Sequence, residues 1–297
     1  MQAIHIRALR HSAFYSPLLL TICSGYLQQE GLTPVYDVAS ADKTVEGGLL
    51  SGEIHLAQSA VAAGFAGLEH GKPTPIRHFA QINERDGFFL TRRGTDPSGF
   101  DWTELVGQKI LIDHLFQPLA MLKYALHLLG IAFQQLQVID AGGVEAMDKA
   151  FRGGEGRYIH QQGPYAQQLE ADGAGRVVAS IGEIIGPVAF SSLCATPQWL
   201  ETDMARAFMR AYAQGQAAAI ELPAEEIGHR IQSLFPTIAF PVLTRTIAAY
   251  QRLGCWSLQA RISETSYEKT LDVFEYAGLI RCRHPYEHLV SSPPAYA

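Results

Sequence analysis

The chain has 297 residues, of which 47% are hydrophobic and 18% charged, and a formal net charge of -6. These values describe a globular protein long enough to hold a core without staples, as one large domain or two of ordinary size. Both signs of charge are spread along the chain without a basic block, which argues against nucleic acid as a partner, and no apolar run approaches the roughly 20 residues of a membrane-inserted helix.

The N-terminal stretch MQAIHIRALRHSAFY lacks the continuous apolar core of a signal peptide. Two localisations follow: cytoplasmic if Met1 is native, periplasmic if a leader was removed. The four cysteines are widely spaced and form no CxxC motif. They would allow three pairings, but they read as buried thiols used as small hydrophobes.

In chain order, Ile4–Leu9 reads as a strand and Phe14–Leu27 as a helix, with Pro17 in its first turn. Pro34–Ala39 is a second strand, and Asp42 caps a helix running to Leu50. Strands at Ile54–Ala57 and Ile76–Ile82 flank a helix at Val61–Glu69, and Gly87–Leu90 is a fifth strand. A second alternating run starts at Trp102. It holds strands at Lys109–Ile112, Leu136–Ile139, Arg157–His160, Val177–Ile181 and Val188–Leu193, with helices at Pro118–Leu129, Ala146–Phe151 and Tyr165–Ala171. From Pro197 the pattern turns helical (Thr202–Ile220, Glu225–Phe235, Pro241–Leu253, Tyr267–Ala277), and the tail after Ile280 is expected to fray. Strands separated by helices at this spacing predict parallel sheets with right-handed crossovers. The expected architecture is α/β with two lobes, one from residues 1–90 and 190–297, the other from 91–189.

No HExxH, GxSxG or P-loop occurs. The eleven histidines offer no ligand set with metal spacing, so neither a metal nor a cofactor is expected, and no catalytic residue is assigned. His11 and His160 are the only candidate bases. In α/β sheets ligands bind beyond the carboxyl ends of strands. That rule selects Phe14, Tyr15, Ser40, Gln58, Ser59, Phe116, Gln117, His160, Gln161 and Tyr165 as the walls of a ligand cleft between the lobes. For Ser40 and Ser59 a plain helix-capping role competes. Aromatic faces and neutral hydrogen-bonding groups dominate this set, while Arg10 and Lys43 are the nearby cations. A neutral or weakly charged heteroaromatic ligand, such as a substituted pyrimidine, therefore fits better than nitrate or bicarbonate, and an aromatic sulfonate stays open.

The segment Gly25-Tyr26-Leu27-Gln28-Gln29-Glu30-Gly31-Leu32 resembles the G-[YF]-[FL]-x-x-E-G-L hallmark of NMT1/THI5-like substrate-binding proteins of ABC transporters. LLSGEIHLAQSA, GKPTPI, GFFLTRR, WTELVGQKILI, QGPYAQQLEADG and YEKTLDVFEYAGLI extend the resemblance over nearly the whole chain. It implies the periplasmic-binding-protein type II fold, a small-molecule ligand in the cleft and an ABC permease as partner. Some relatives are enzymes, a thiamine-pyrimidine synthase and an aromatic sulfinate desulfinase. The first implies a cysteine-rich iron motif, absent here; the second implies a nucleophilic cysteine after the first strand, where this chain has Ser12. Two further readings stand beside transport: an enzyme of the same fold acting on a small aromatic compound, and a cytoplasmic metabolite sensor.

Overall fold

The computed structural model describes residues 1–295. Ten strands form two five-stranded sheets. They are β1 (Gln2–Ala8), β2 (Leu32–Val38), β3 (Leu56–Ser59), β4 (Arg77–Asn83), β5 (Phe88–Arg93), β6 (Lys109–Ile112), β7 (Gln137–Ile139), β8 (Tyr158–Gln162), β9 (Gly175–Ser180) and β10 (Ser191–Ala195). The first sheet has the order β2-β1-β3-β10-β4 and the second β7-β6-β8-β5-β9. Helices flank both, giving a two-lobed α/β fold of the periplasmic-binding-protein kind.

The sheets are mixed rather than purely parallel. β10 runs antiparallel to β3 and β4, and β5 antiparallel to β8 and β9. These are the strands the chain lays down immediately after crossing between lobes, so each sheet receives its one reversed strand from a crossing. β5 lies entirely in the second sheet, which puts the first crossing at residues 84–87, ahead of the expected boundary at residue 90. The second crossing spans residues 181–190. The two crossings touch. A Cβ added at Gly182 would lie 2.2 Å from the Asp86 carbonyl oxygen, and Val188 N–H donates to the Glu84 carbonyl at 2.8 Å.

Local chemistry explains the other departures. The first helix is split: a 3-10 turn at Ala13–Tyr15 leads into Ser16–Cys23, and Gly25, at φ 79°, breaks the run before Tyr26–Gln29. A left-handed residue cannot continue a right-handed helix. The helix expected to be capped by Asp42 begins at Val45, because Thr44 accepts the Gly47 N–H. The helix Ser16–Cys23, buried from Ser16 to Ile22, lies against Asp203–Glu221, where Gly215 leaves no room for a Cβ beside Thr21 and the Pro17 carbonyl. Of the later helices, Phe240–Leu253 and Glu264–Tyr276 do more than pack back on the first lobe. Thr246 donates to Gln167, and Tyr276 stacks on His127, so both reach the second lobe. The tail is not frayed through Val290. Leu289 and Val290 are buried, and His78 exchanges backbone bonds with Leu289 and Ser291 at 2.8 and 2.9 Å. Nor are the thiols uniformly buried: Cys194 and Cys255 are, Cys23 is half-buried and Cys282 exposed, all unpaired.

Candidate functional site

The loop after β1 brings Leu9 and Arg10 to the interface between lobes. The 3-10 turn adds Tyr15, the end of β3 adds Gln58 and Ser59, and the entry to β10 adds Phe190 and Ser191. From the second lobe come Phe88 at the start of β5, Leu115–Pro118 at the opening of the helix Phe116–Leu128, and Gln162 at the end of β8. Together they enclose a cavity of about 230 Å³. A larger adjoining cleft of about 570 Å³ shares Arg10 and Gln162 and adds His11, Asp113, Asp140 and Tyr165.

Charge at the site is paired. Arg10 donates to both Asp113 carboxylate oxygens, at 2.9 and 3.2 Å, across the interface. Asp113 also accepts the Leu115 N–H at 2.9 Å. Ser12 Oγ donates to the Gly163 carbonyl at 2.6 Å, and Tyr250 Oη accepts the Gly163 N–H at 2.9 Å. These contacts join the two lobes, leaving the aromatic cavity enclosed between them.

The cavity lining contains two unmatched polar atoms. Gln117 donates Nε2 to the Phe190 carbonyl at 2.7 Å, while its Oε1 is buried without a partner. Gln162 Nε2 is likewise buried without a well-aligned partner, although the Gln162 side chain lies within hydrogen-bonding reach of the Tyr15 hydroxyl. Gln58 is committed instead: its Oε1 accepts the N–H groups of Leu9 and Arg10 at 3.1 and 3.3 Å.

Of the residues selected from sequence, Tyr15, Gln58, Ser59, Phe116 and Gln117 meet at the smaller cavity, and Tyr165 lines the adjoining cleft. Four are placed elsewhere. Phe14 is fully buried, its ring against Phe190 and Tyr250 in the core; adjacent residues of a 3-10 turn point in different directions, and only Tyr15 faces the cavity. Ser40 exchanges backbone bonds with Lys43 in the turn after β2 and lines neither cavity. His160 lies behind the wall, stacked under Phe88 at 4.8 Å. Gln161 is buried in β8, and its side-chain atoms have no partner. Sequence reasoning missed Arg10 as a lining residue, along with Phe88, Gln162 and Phe190. Phe88 opens a reversed strand and Phe190 leads into another, positions that a rule based on parallel strands passes over.

Neither candidate base is set up for proton transfer to the cavity. Burial pushes His160 down to about 4, and both ring nitrogens lack partners behind Phe88. His11 is also lowered by burial, and its two nitrogens are taken by Tyr36 Oη at 2.9 Å and the Leu234 carbonyl at 2.8 Å. At the position after β1, Ser12 Oγ donates to a backbone carbonyl and accepts the Phe14 N–H.

Comparisons with known proteins agree with the two-lobed fold. A curated Bacillus subtilis (strain 168) protein named as a binding protein, YtlA, is 27% identical over 293 residues, covering 97% of this chain and 87% of that protein. Among solved structures, the ligand-binding component of an ABC-type import system from Staphylococcus aureus, determined with zinc bound, superposes with a TM-score of 0.75 at 17% identity, over 98% of this chain and 97% of that one. The desulfurization enzyme DSZB has the same fold, with a TM-score of 0.69 at 11% identity and coverage of 98% and 97%. The NMT1/THI5 like family description matches residues 14–226. The match spans well over half of the sequence, and the chain belongs to the NMT1/THI5-like family.

Proposed function

We propose that this protein is a solute-binding component that closes on a small, neutral or weakly charged heteroaromatic molecule and hands it unchanged to an ABC permease. The observation that carries the reading is the pairing of aromatic faces with unmatched amides in one interlobe cavity. Tyr15, Phe88, Phe116 and Phe190 surround a space suited to a single ring, while Gln117 Oε1 offers an acceptor without a partner and the Gln162 amide, beside the Tyr15 hydroxyl, offers a donor. A pyrimidine edge presents the complementary donor and acceptor, and stacking holds its faces. Arg10, the one cation lining the cavity among the described residues, is already neutralised by Asp113, which disfavours nitrate or bicarbonate.

Binding without chemistry is supported by the engagement of His11 and Ser12 and by the burial of His160. Delivery to a permease requires the protein to act outside the cytoplasm; no helix among the described residues is long and apolar enough to cross a membrane. An aromatic sulfonate is the second reading. It is favoured by the 13-residue helix Phe116–Leu128, whose first turn opens on the cavity and could receive an anionic group.

Calorimetry with a panel of pyrimidines, an aryl sulfonate and nitrate tests the proposal. We expect one ring compound to bind at one site per chain, and Tyr15→Ala to weaken it by about 1 kcal/mol or more. Micromolar nitrate binding with no response to any ring would refute it, and turnover of the bound compound would replace the binding reading with an enzymatic one.

A further inference from the structure

A second group of side chains converges far from the cleft. Glu69 ends the short helix Phe65–Glu69, and Cys282 and His284 sit on the segment that follows Leu279–Ile280. Three ligating atoms, one from each residue, lie within 4.8 Å of one another. Glu69 Oε1 is 3.0 Å from His284 Nε2 and 3.6 Å from Cys282 Sγ. Oxygen, nitrogen and sulfur ligands of a four-coordinate zinc ion lie about 3.3–3.6 Å apart, given bonds of roughly 2.0–2.3 Å. The separations of Glu69 Oε1 from the His284 nitrogen and the Cys282 sulfur are thus close to those of such a polyhedron, and all three atoms lie near enough for small side-chain rotations to complete it.

The surroundings support a ligand role. His284 is 6% exposed, and its Nε2, although close to Glu69, forms no hydrogen bond with it or with anything else. A buried ring nitrogen aimed at a carboxylate and a thiol, but bonded to neither, is what an ion between them would require. The remaining contacts hold the ligands in place. Glu69 turns its other oxygen, Oε2, to the Arg281 backbone N–H at 3.1 Å and Arg281 Nε at 3.2 Å, while Oε1 accepts a long bond from the Cys282 thiol, whose proton an ion would replace. Tyr267 Oη donates to the His284 carbonyl at 3.0 Å, and the His284 ring packs on Phe65. Such supporting contacts orient metal ligands.

We propose that Glu69, Cys282 and His284 bind one zinc ion, with water completing the fourth position on the exposed Cys282 side. The donor set selects a borderline-soft divalent ion: a thiolate and an imidazole disfavour magnesium and calcium. None of the three residues lines the interlobe cavity, so the ion is a clip between the tail segment and the helix Phe65–Glu69. Glu69 lies 213 positions from Cys282, which is why no spacing pattern reports the group.

Untagged full-length protein, stripped with chelator, is titrated with zinc and separately with cobalt. One ion per chain is expected, with a rise in melting temperature. The cobalt form should show thiolate-to-metal charge transfer and the visible bands of a four-coordinate ion. Cys282→Ser, at an exposed position, should keep the fold, weaken zinc binding tenfold or more and abolish charge transfer; Glu69→Gln should weaken binding similarly. Failure of the native chain to bind zinc stoichiometrically, or unchanged affinity and spectra in Cys282→Ser, would overturn the proposal.

Discussion

The two jaws of the cleft handle their polar groups differently. On the first lobe, Gln58 holds the backbone of Leu9 and Arg10, and Ser191 Oγ donates to Asn83. On the second, Gln117 keeps one amide atom unmatched and Gln162 another. A polar atom left buried and unpaired costs about 1–3 kcal/mol, a cost that a ligand can remove. The first lobe therefore acts as a platform whose hydrogen bonds are already made, and the second carries the groups that respond to what enters.

Variants can break or sharpen this contrast. The largest effect is expected at the junction the jaws share. Gly182→Val would force a side chain into the Asp86 carbonyl and should cost about 3 kcal/mol or more of stability in urea unfolding, whichever jaw is probed.

Asp86 comes next. Burial raises its carboxyl to about 8, and Oδ1 accepts the Phe88 N–H while Oδ2 has no partner. A folded state that holds a proton the unfolded chain releases above about pH 4 has that contribution in full below pH 4 and loses it as pH rises to about 8. Asp86→Asn keeps the acceptor and removes the charge. Relative to the native chain it should gain stability progressively over that window, reaching on the order of 2 kcal/mol or more at pH 8.5. His78 and His160, lowered by burial to about 3 and about 4, act in the opposite sense below pH 6.5, so the difference between the two proteins is the informative quantity. A pH-independent difference would contradict the assignment.

The glutamines test the contrast directly. Gln117→Ala and Gln162→Ala should each weaken the cleft ligand about tenfold, near 1.4 kcal/mol, and Gln162→Ala should leave stability little changed. Gln58→Ala should do the reverse, destabilising by about 1 kcal/mol through the N–H groups it strands. Equal effects on affinity and stability at all three positions would erase the distinction. The smallest effect is expected from Asp113→Asn, which weakens the bidentate link to Arg10 by about 1 kcal/mol or less. It should register as a larger radius of gyration without ligand and recovery of the native value with it.

Much of the fold was legible because apolar runs of strand length alternate with helical patterns, and glycines such as Gly52 mark the ends. Strand direction was not legible. Phe88–Arg93 and Ser191–Ala195 are apolar runs like their neighbours, and only the sheet shows that they are reversed. The site follows the same division. Tyr15, Gln58, Ser59, Phe116 and Gln117 obey the rule for parallel strands and were found by it. Phe190 ends one crossing and Phe88 opens the reversed strand after the other, so neither was found, and Phe14 was selected because sequence does not say which way a side chain points.

The exchange of reversed strands also sets a timetable for synthesis. β3 and β4 are joined only through β10, so the first sheet remains in two parts until residue 195 has emerged, although four of its strands are made by residue 83. At roughly 5–20 residues per second, the intervening 112 residues take about 6–22 s. The second sheet has all its strands by residue 180. The lobe begun later is thus the first that can be completed on the ribosome, and the edges of β3 and β4 are the surfaces a chaperone would need to shield in the meantime.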